Sequence, residues 1–246
     1  MIDRMAPTRR PEGVPAGYQK WRDLLFVHWE VPVAALRPLV PAPLAIDTHE
    51  DKAYVGVVAF TMHDVRPSRF LPAIAGAAGF GEVNVRTYVH HEGRDPGVWF
   101  LSLDAQSVLA VLGARAFFHL PYFHARIETH RQDAGVVYRA ERHWADGAPA
   151  GIDVRYEVGA ETPGSEPGSL QHFLVERYIL YAMTPRGRLL QGRVHHPPYR
   201  VRHARVLEMQ ESLVAADGLE RPEARASELW SDGVDVEVFG LRSPRT

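Results

Sequence analysis

From Glu82 to Tyr88 the chain alternates, with Val83 and Val85 on one side and Glu82, Asn84, Arg86 and Tyr88 on the other. A period of two belongs to a β-strand whose faces meet different surroundings, and a chain carrying such a segment has to build a sheet around it. The polar face is either wet or the wall of a pocket; the residues by themselves favour water. The same period returns after Pro121, where Tyr122, His124, Arg126 and Glu128 alternate with Phe123, Ala125 and Ile127. Before Pro121, Val108, Val111, Leu112 and Ala116 recur at spacings of three and four, a helix with one buried face and Asp104 as its cap. Helix, proline break and strand therefore meet in residues 113–126, the natural place for a site.

Further strands are expected at residues 24–31, ended by Pro32, which lacks an amide donor, and at 52–63, 136–144 and 152–158. Residues 98–103 should form a hairpin with the preceding strand through Gly93 and an Asp95-Pro96-Gly97 turn. The tail is strand-like at 188–209 and 229–241, with Pro197-Pro198 breaking the first run into paired strands. A short helix fits 33–39, and another follows Ser169, whose hydroxyl caps a stripe of Leu170, Phe173, Leu174 and Tyr178. Residues 67–79, rich in Pro, Gly and Ala, read as a loop long enough to be a candidate lid. Nothing marks a linker, so the reading is one mainly β domain of the α+β class over 18–246, preceded by a flexible arm at 1–17.

Hydrophobic residues make up 46% of the chain, ample for a core, and a formal charge of -2 argues against nucleic acid or an anionic membrane as partner. The absence of cysteine removes disulfides, thiolate nucleophiles and sulfur metal sites. Residues 1–17 hold Arg4, Arg9, Arg10 and three prolines with no apolar stretch, unlike a signal peptide, and no apolar run nears the roughly 18–20 residues of a membrane span. A cytoplasmic location follows; assembly into a homo-oligomer stays open.

Six stretches, in order, resemble the bacterial YqjF-like proteins, an uncharacterised family of the acetoacetate decarboxylase-like superfamily: 21–29 (WRDLLFVHW), 35–47 (ALRPLVPAPLAID), 81–88 (GEVNVRTY), 98–104 (VWFLSLD), 166–181 (EPGSLQHFLVERYILY) and 195–199 (HHPPY). The resemblance implies a curled antiparallel sheet closed into a cone-like barrel around a cavity. It places Arg22 and Glu82 on two active-site positions of the decarboxylases and turns the polar face of residues 82–88 inward. Tyr122 and Phe123 fall on the decarboxylases' two adjacent lysines. A lysine made nucleophilic by a neighbouring cation forms a Schiff base with a ketone; a tyrosine cannot. The chain has only Lys20 and Lys52, so the resemblance implies the fold while arguing against that reaction.

Other chemistries find little support. The thirteen histidines show no ligand spacing, His90-His91 and His195-His196 pointing to opposite strand faces, and although His119 and His124 straddle Pro121, no third ligand is identifiable, so neither a metal nor a cofactor is expected. There is no Gly-x-Ser-x-Gly elbow, and the glycines of 76–81 precede a strand where a dinucleotide fingerprint must precede a helix. Two readings remain, both with a small-molecule ligand in the cone. In the first, Arg22 or Arg115 holds an anionic group of a small carbonyl, enolisable or aromatic compound, Glu82 exchanges a proton, and Tyr122 or His124 polarises an oxygen. In the second, the cavity only captures a ligand, with Tyr122, Phe118, Trp29 and Trp99 as walls; Asn84, Arg86 and His119 belong to the lining in either case. Arg22 beside Glu82 is expected to keep that carboxyl anionic against the opposing effect of burial.

Overall fold

The computed structural model describes residues 2–68, 70, 79–132, 135–143, 149–162 and 165–244. In chain order the strands are β1 (Gly17–Val31), β2 (Ala45–Ile46), β3 (Ala53–Arg66), β4 (Gly79–His91), β5 (Arg94–Ala105) and β6 (Tyr122–Gln132). They continue with β7 (Gly135–Arg142), β8 (Gly151–Glu161), β9 (Ile179–Met183), β10 (Leu189–His195), β11 (Val201–Glu211) and β12 (Ser227–Arg242). Helices are short: α1 (Val33–Leu36), α2 (Val108–Gly113), α3 (Leu170–Val175) and α4 (Leu213–Ala216).

All twelve strands join one sheet, which closes twice. The strands β12, β1, β3, β4 and β5 form a shared wall. At β5 and β12 the sheet forks. One end of β5 pairs with β6 through Leu103 to Ala105 and the other with β9 through Val98 and Trp99, both in parallel, where an all-antiparallel sheet was expected. Likewise β12 meets β11 near Ser231 and β10 near Val238. A long circuit therefore runs from β5 through β6, β7, β8 and β11, and a short one through β9 and β10. Closure leaves few free sheet edges to manage.

Each circuit encloses a core, and the shared wall serves both through the strand period. Val27, Trp29, Val57, Val83 and Val85 point into the long circuit, against Ile127, Tyr138, Val154 and Val206. Phe26, Val58, Phe60 and Phe80 point into the short one, with Leu103, Tyr122, Val175 and Val194. Gly81 permits the close approach of β6, since a Cβ there would lie 2.2 Å from Ile127 Cγ2.

Several local expectations shift. The hairpin turn is Glu92-Gly93, both residues with positive φ as a two-residue type I′ turn demands, while Asp95-Pro96-Gly97 lies inside β5. β10 and β11 do not pair with each other; both pair with β12. Ser107 rather than Asp104 caps α2, accepting from the Ala110 amide, because Asp104 is buried in a two-point ion pair with Arg142 at 2.8 Å. Ser169 does cap α3, through the His172 amide. Residues 2–17 contain a short turn at Ala6–Thr8 and are tied down by Arg4 on Asp47 and Arg10 on Glu237. Most of the candidate lid, and Trp144, lie outside the described residues. Among the described residues no helix is long and apolar enough to cross a membrane.

Candidate functional site

The short circuit is not filled. A cavity of about 370 Å³ remains between the shared wall, β9, β10 and α2, within the range of small-molecule sites. β4 supplies its polar stripe, Glu82, Asn84 and Arg86 at alternate positions. The side of α2 facing it is Ala110 and Gly113, continued by Ala114 and Phe117 in a π-helical turn at Ala114–Phe118 that ends at left-handed His119. The expected apolar stripe sits differently: Val111 is buried, but Val108 and Leu112 are exposed, and Leu109 and Phe117 stand at the mouth, 58% and 77% exposed.

Glu82 and Tyr122, forty residues apart, meet here. Tyr122 donates its hydroxyl to Glu82 Oε2 at 2.9 Å, and both side chains are buried. Burial pushes the Glu82 carboxyl up to about 8, the Tyr122 hydrogen bond opposing and the Asp104 charge assisting. Glu82 is thus a neutral acid at pH 7. Burial likewise drives the Tyr122 phenol well above its usual range.

The expected anion fails because Arg22 is elsewhere. Leu24 and Phe26 face the cavity side, so a regular strand would put Arg22 there too; instead Asp23 adopts φ 53° at a bulge between Arg22 and Leu25. The extra residue reverses the phase, bringing Trp21 and Gln19 to the cavity and sending Arg22 to Asp235 and the Val234 carbonyl. Gly233 opposite has φ 123°, and a Cβ there would sit 2.0 Å from the Trp21 carbonyl oxygen.

Of the other candidates, Asn84, Arg86 and Phe118 line the cavity. Trp29 does not: one position out of phase with Phe26, it lies in the long circuit's core beneath the Arg221 guanidinium at 4.4 Å. Trp99 faces the outer side of β5 and donates its indole N–H to the Leu39 carbonyl at 3.0 Å. Arg115 and His119 share an outer hollow with Trp99 and Asp217, Arg115 lying 5.9 Å from the Phe123 ring. His124 follows the fork, where β6 leaves the cavity wall; its ring is 6.3 Å from that of His143. Phe123 also points away, under Arg142 at 4.0 Å. Neither lysine reaches the cavity, Lys20 pairing with Asp64 at 2.7 Å and Lys52 with Glu30 at 2.9 Å. Among the described residues no three His, Asp or Glu side chains gather to hold a metal ion.

One charged lining residue escaped the sequence reading. Arg177 is buried at the far end of the cavity, donating to Asp47 Oδ2 at 2.9 Å and to the Phe173 carbonyl. Asp47 also takes Arg4, so two guanidinium groups share one carboxylate. The available signal was Glu176-Arg177, two charges set inside an otherwise apolar run.

Residues 18–235 match DUF2071, a family of uncharacterized conserved proteins. The "Uncharacterized protein YqjF" of Bacillus subtilis (strain 168) is 37% identical over 232 residues, 94% of each chain. The chain belongs to this YqjF-like family. Among solved structures, the acetoacetate decarboxylase of Legionella pneumophila matches with a TM-score of 0.65 at 10% identity, over 96% of this chain and 92% of that one. The enduracididine biosynthesis enzyme MppR, complexed with pyruvate, matches with a TM-score of 0.63 at 14% identity, over 95% and 92%. At such identities these neighbours establish the acetoacetate decarboxylase-like fold of the YqjF-like chain, and the fold alone.

Proposed function

We propose that this YqjF-like protein binds a small carbonyl, enolisable or aromatic compound in the cavity and moves protons on it without a covalent amine intermediate. The observation that carries the reading is the buried Glu82–Tyr122 pair at 2.9 Å on a cavity wall. An acid that titrates near 8 works close to neutrality. As the carboxylic acid it protonates an enolate at carbon; as the carboxylate so formed it removes the α-proton in reverse. Tyr122 positions the carboxyl, and Asn84 Oδ1, which has no partner, is placed to accept from the hydroxyl of an enol. The solved neighbours named a decarboxylase and a pyruvate complex support a carbonyl ligand. Both lysines are tied to surface carboxylates, which argues against a Schiff base.

The largely apolar walls favour a second reading, capture without chemistry. Proton NMR in D₂O with acetophenone and 7-oxooctanoate separates the two. Catalysed deuterium uptake at the α-carbon, lost in Glu82→Gln, is the expected result, and borohydride added during turnover should leave the protein mass unchanged. Exchange indifferent to Glu82→Gln, or a reduced adduct on Lys20 or Lys52, would overturn the proposal; absence of exchange with retained binding would leave the capture reading.

A further inference from the structure

Arg86 is the one cation on the polar stripe, and its charge is unmatched. The two fully buried guanidinium groups each meet a carboxylate, Arg142 with Asp104 and Arg177 with Asp47. Among the described residues Arg86 forms no ion pair; its Nη2 donates to the Leu174 carbonyl at 3.1 Å, and its buried Nε has no acceptor. Its guanidinium lies 5.6 Å from the Phe26 ring and 5.8 Å from the Tyr88 ring, so it leans away from Glu82 toward the Arg177 end. There Arg4 and Arg177 already outnumber Asp47. Glu176 does not restore the balance, being spent on Tyr178, the Tyr199 amide and Ser165, with burial pushing its carboxyl toward the neutral form. Arg86 is half-buried, but its buried Nε lacks an acceptor, and a partly desolvated guanidinium beside a cavity gains when an anion joins it.

We infer that the cavity's ligand is an organic monoanion with an extended apolar body, its carboxylate held by Arg86 at the end opposite Glu82. Four residues of strand separate the two positions, about 13 Å of backbone at roughly 3.3 Å per residue. A four-carbon acid cannot bridge that span. Val58, Phe60, Leu103, Phe118 and Val175 line the space between and offer apolar contact for a chain or ring. The inference rests on the cavity being the ligand site, as in the proposed function, and not on the proton chemistry there.

The experiment is equilibrium binding by calorimetry with phenylacetate, 4-phenylbutyrate and 6-phenylhexanoate, each beside its uncharged primary amide. In the wild type the longer acids should bind at least tenfold tighter than their amides, and phenylacetate should show the smallest preference. Arg86→Met should remove that preference while amide affinity stays within a few fold, and Arg86→Lys should recover part of it. The fold should tolerate both changes, because Tyr88 also donates to the Leu174 carbonyl, at 2.8 Å. Equal binding of acid and amide, a preference removed by Arg22→Met instead, or no binding of any acid in the series would overturn the inference. An inactive protein that still prefers acids through Arg86 would fail only the proton-transfer reading; an active one without the preference would fail only this inference.

Discussion

Replacing Glu82 by glutamine should make the protein more stable at alkaline pH, although it removes a side chain from the centre of the site. The amide keeps an oxygen for the Tyr122 hydroxyl and cannot ionise. In the wild type the carboxyl titrates near 8 when folded against an ordinary value of 4.5 when unfolded. Between these values the folded chain holds a proton that the unfolded chain has lost, so stability falls as pH rises, at about 1.4 kcal/mol per pH unit, and levels off above 8. The full penalty is on the order of 5 kcal/mol, a large fraction of a domain's total stability. Urea denaturation of both proteins from pH 4 to pH 9 isolates this contribution, since every other carboxyl cancels in the difference. Glu82→Gln should match the wild type near pH 4 and gain steadily to pH 8. A difference that stays flat across that interval would refute the buried neutral acid, and with it Glu82 as a proton donor at pH 7.

Two further outcomes test the frame around the site. Arg142→Met leaves Asp104 buried without its cation and should cost about 3–5 kcal/mol by urea denaturation at pH 7, with the loss shrinking as acid protonates the carboxyl. Gly81→Ala forces a methyl group onto Ile127 and should cost about 1–3 kcal/mol, read as a lower midpoint of thermal unfolding.

The strand period of residues 82–88 was enough to place Glu82, Asn84 and Arg86 on one face, and β4 presents them so; which medium that face met required the resemblance, because alternation separates faces without naming their surroundings. Tyr122 was found the same way. Arg22 shows where local pattern fails: the strand was expected only from residue 24, whereas β1 runs back to Gly17 through a single inserted residue at Asp23, beside a glycine some 210 positions later in the chain, Gly233. Trp29 owes nothing to that bulge: three residues from Phe26 on a regular stretch, it faces the opposite side of the strand, into the long circuit's core. His124 and Trp99 were lost to the forks at β5, which arise from one strand edge being divided between two partners, something no window of sequence displays. Asp104, a plausible cap by position, was claimed by Arg142 across the sheet. Arg86 lay among the expected lining, but its missing counter-charge could be seen only once the described acids had been placed.

A wall shared by two enclosed spaces lets neighbouring residues answer to different demands. Along β4, Val83 and Val85 complete a packed interior in the long circuit, while Glu82, Asn84 and Arg86 border an unfilled one. The two sets pack against different partners, so side-chain changes at the second act first on the cavity. On the proposed reading, ligand preference is set at every other position of one strand, on the face opposite the interior that keeps the strand in place.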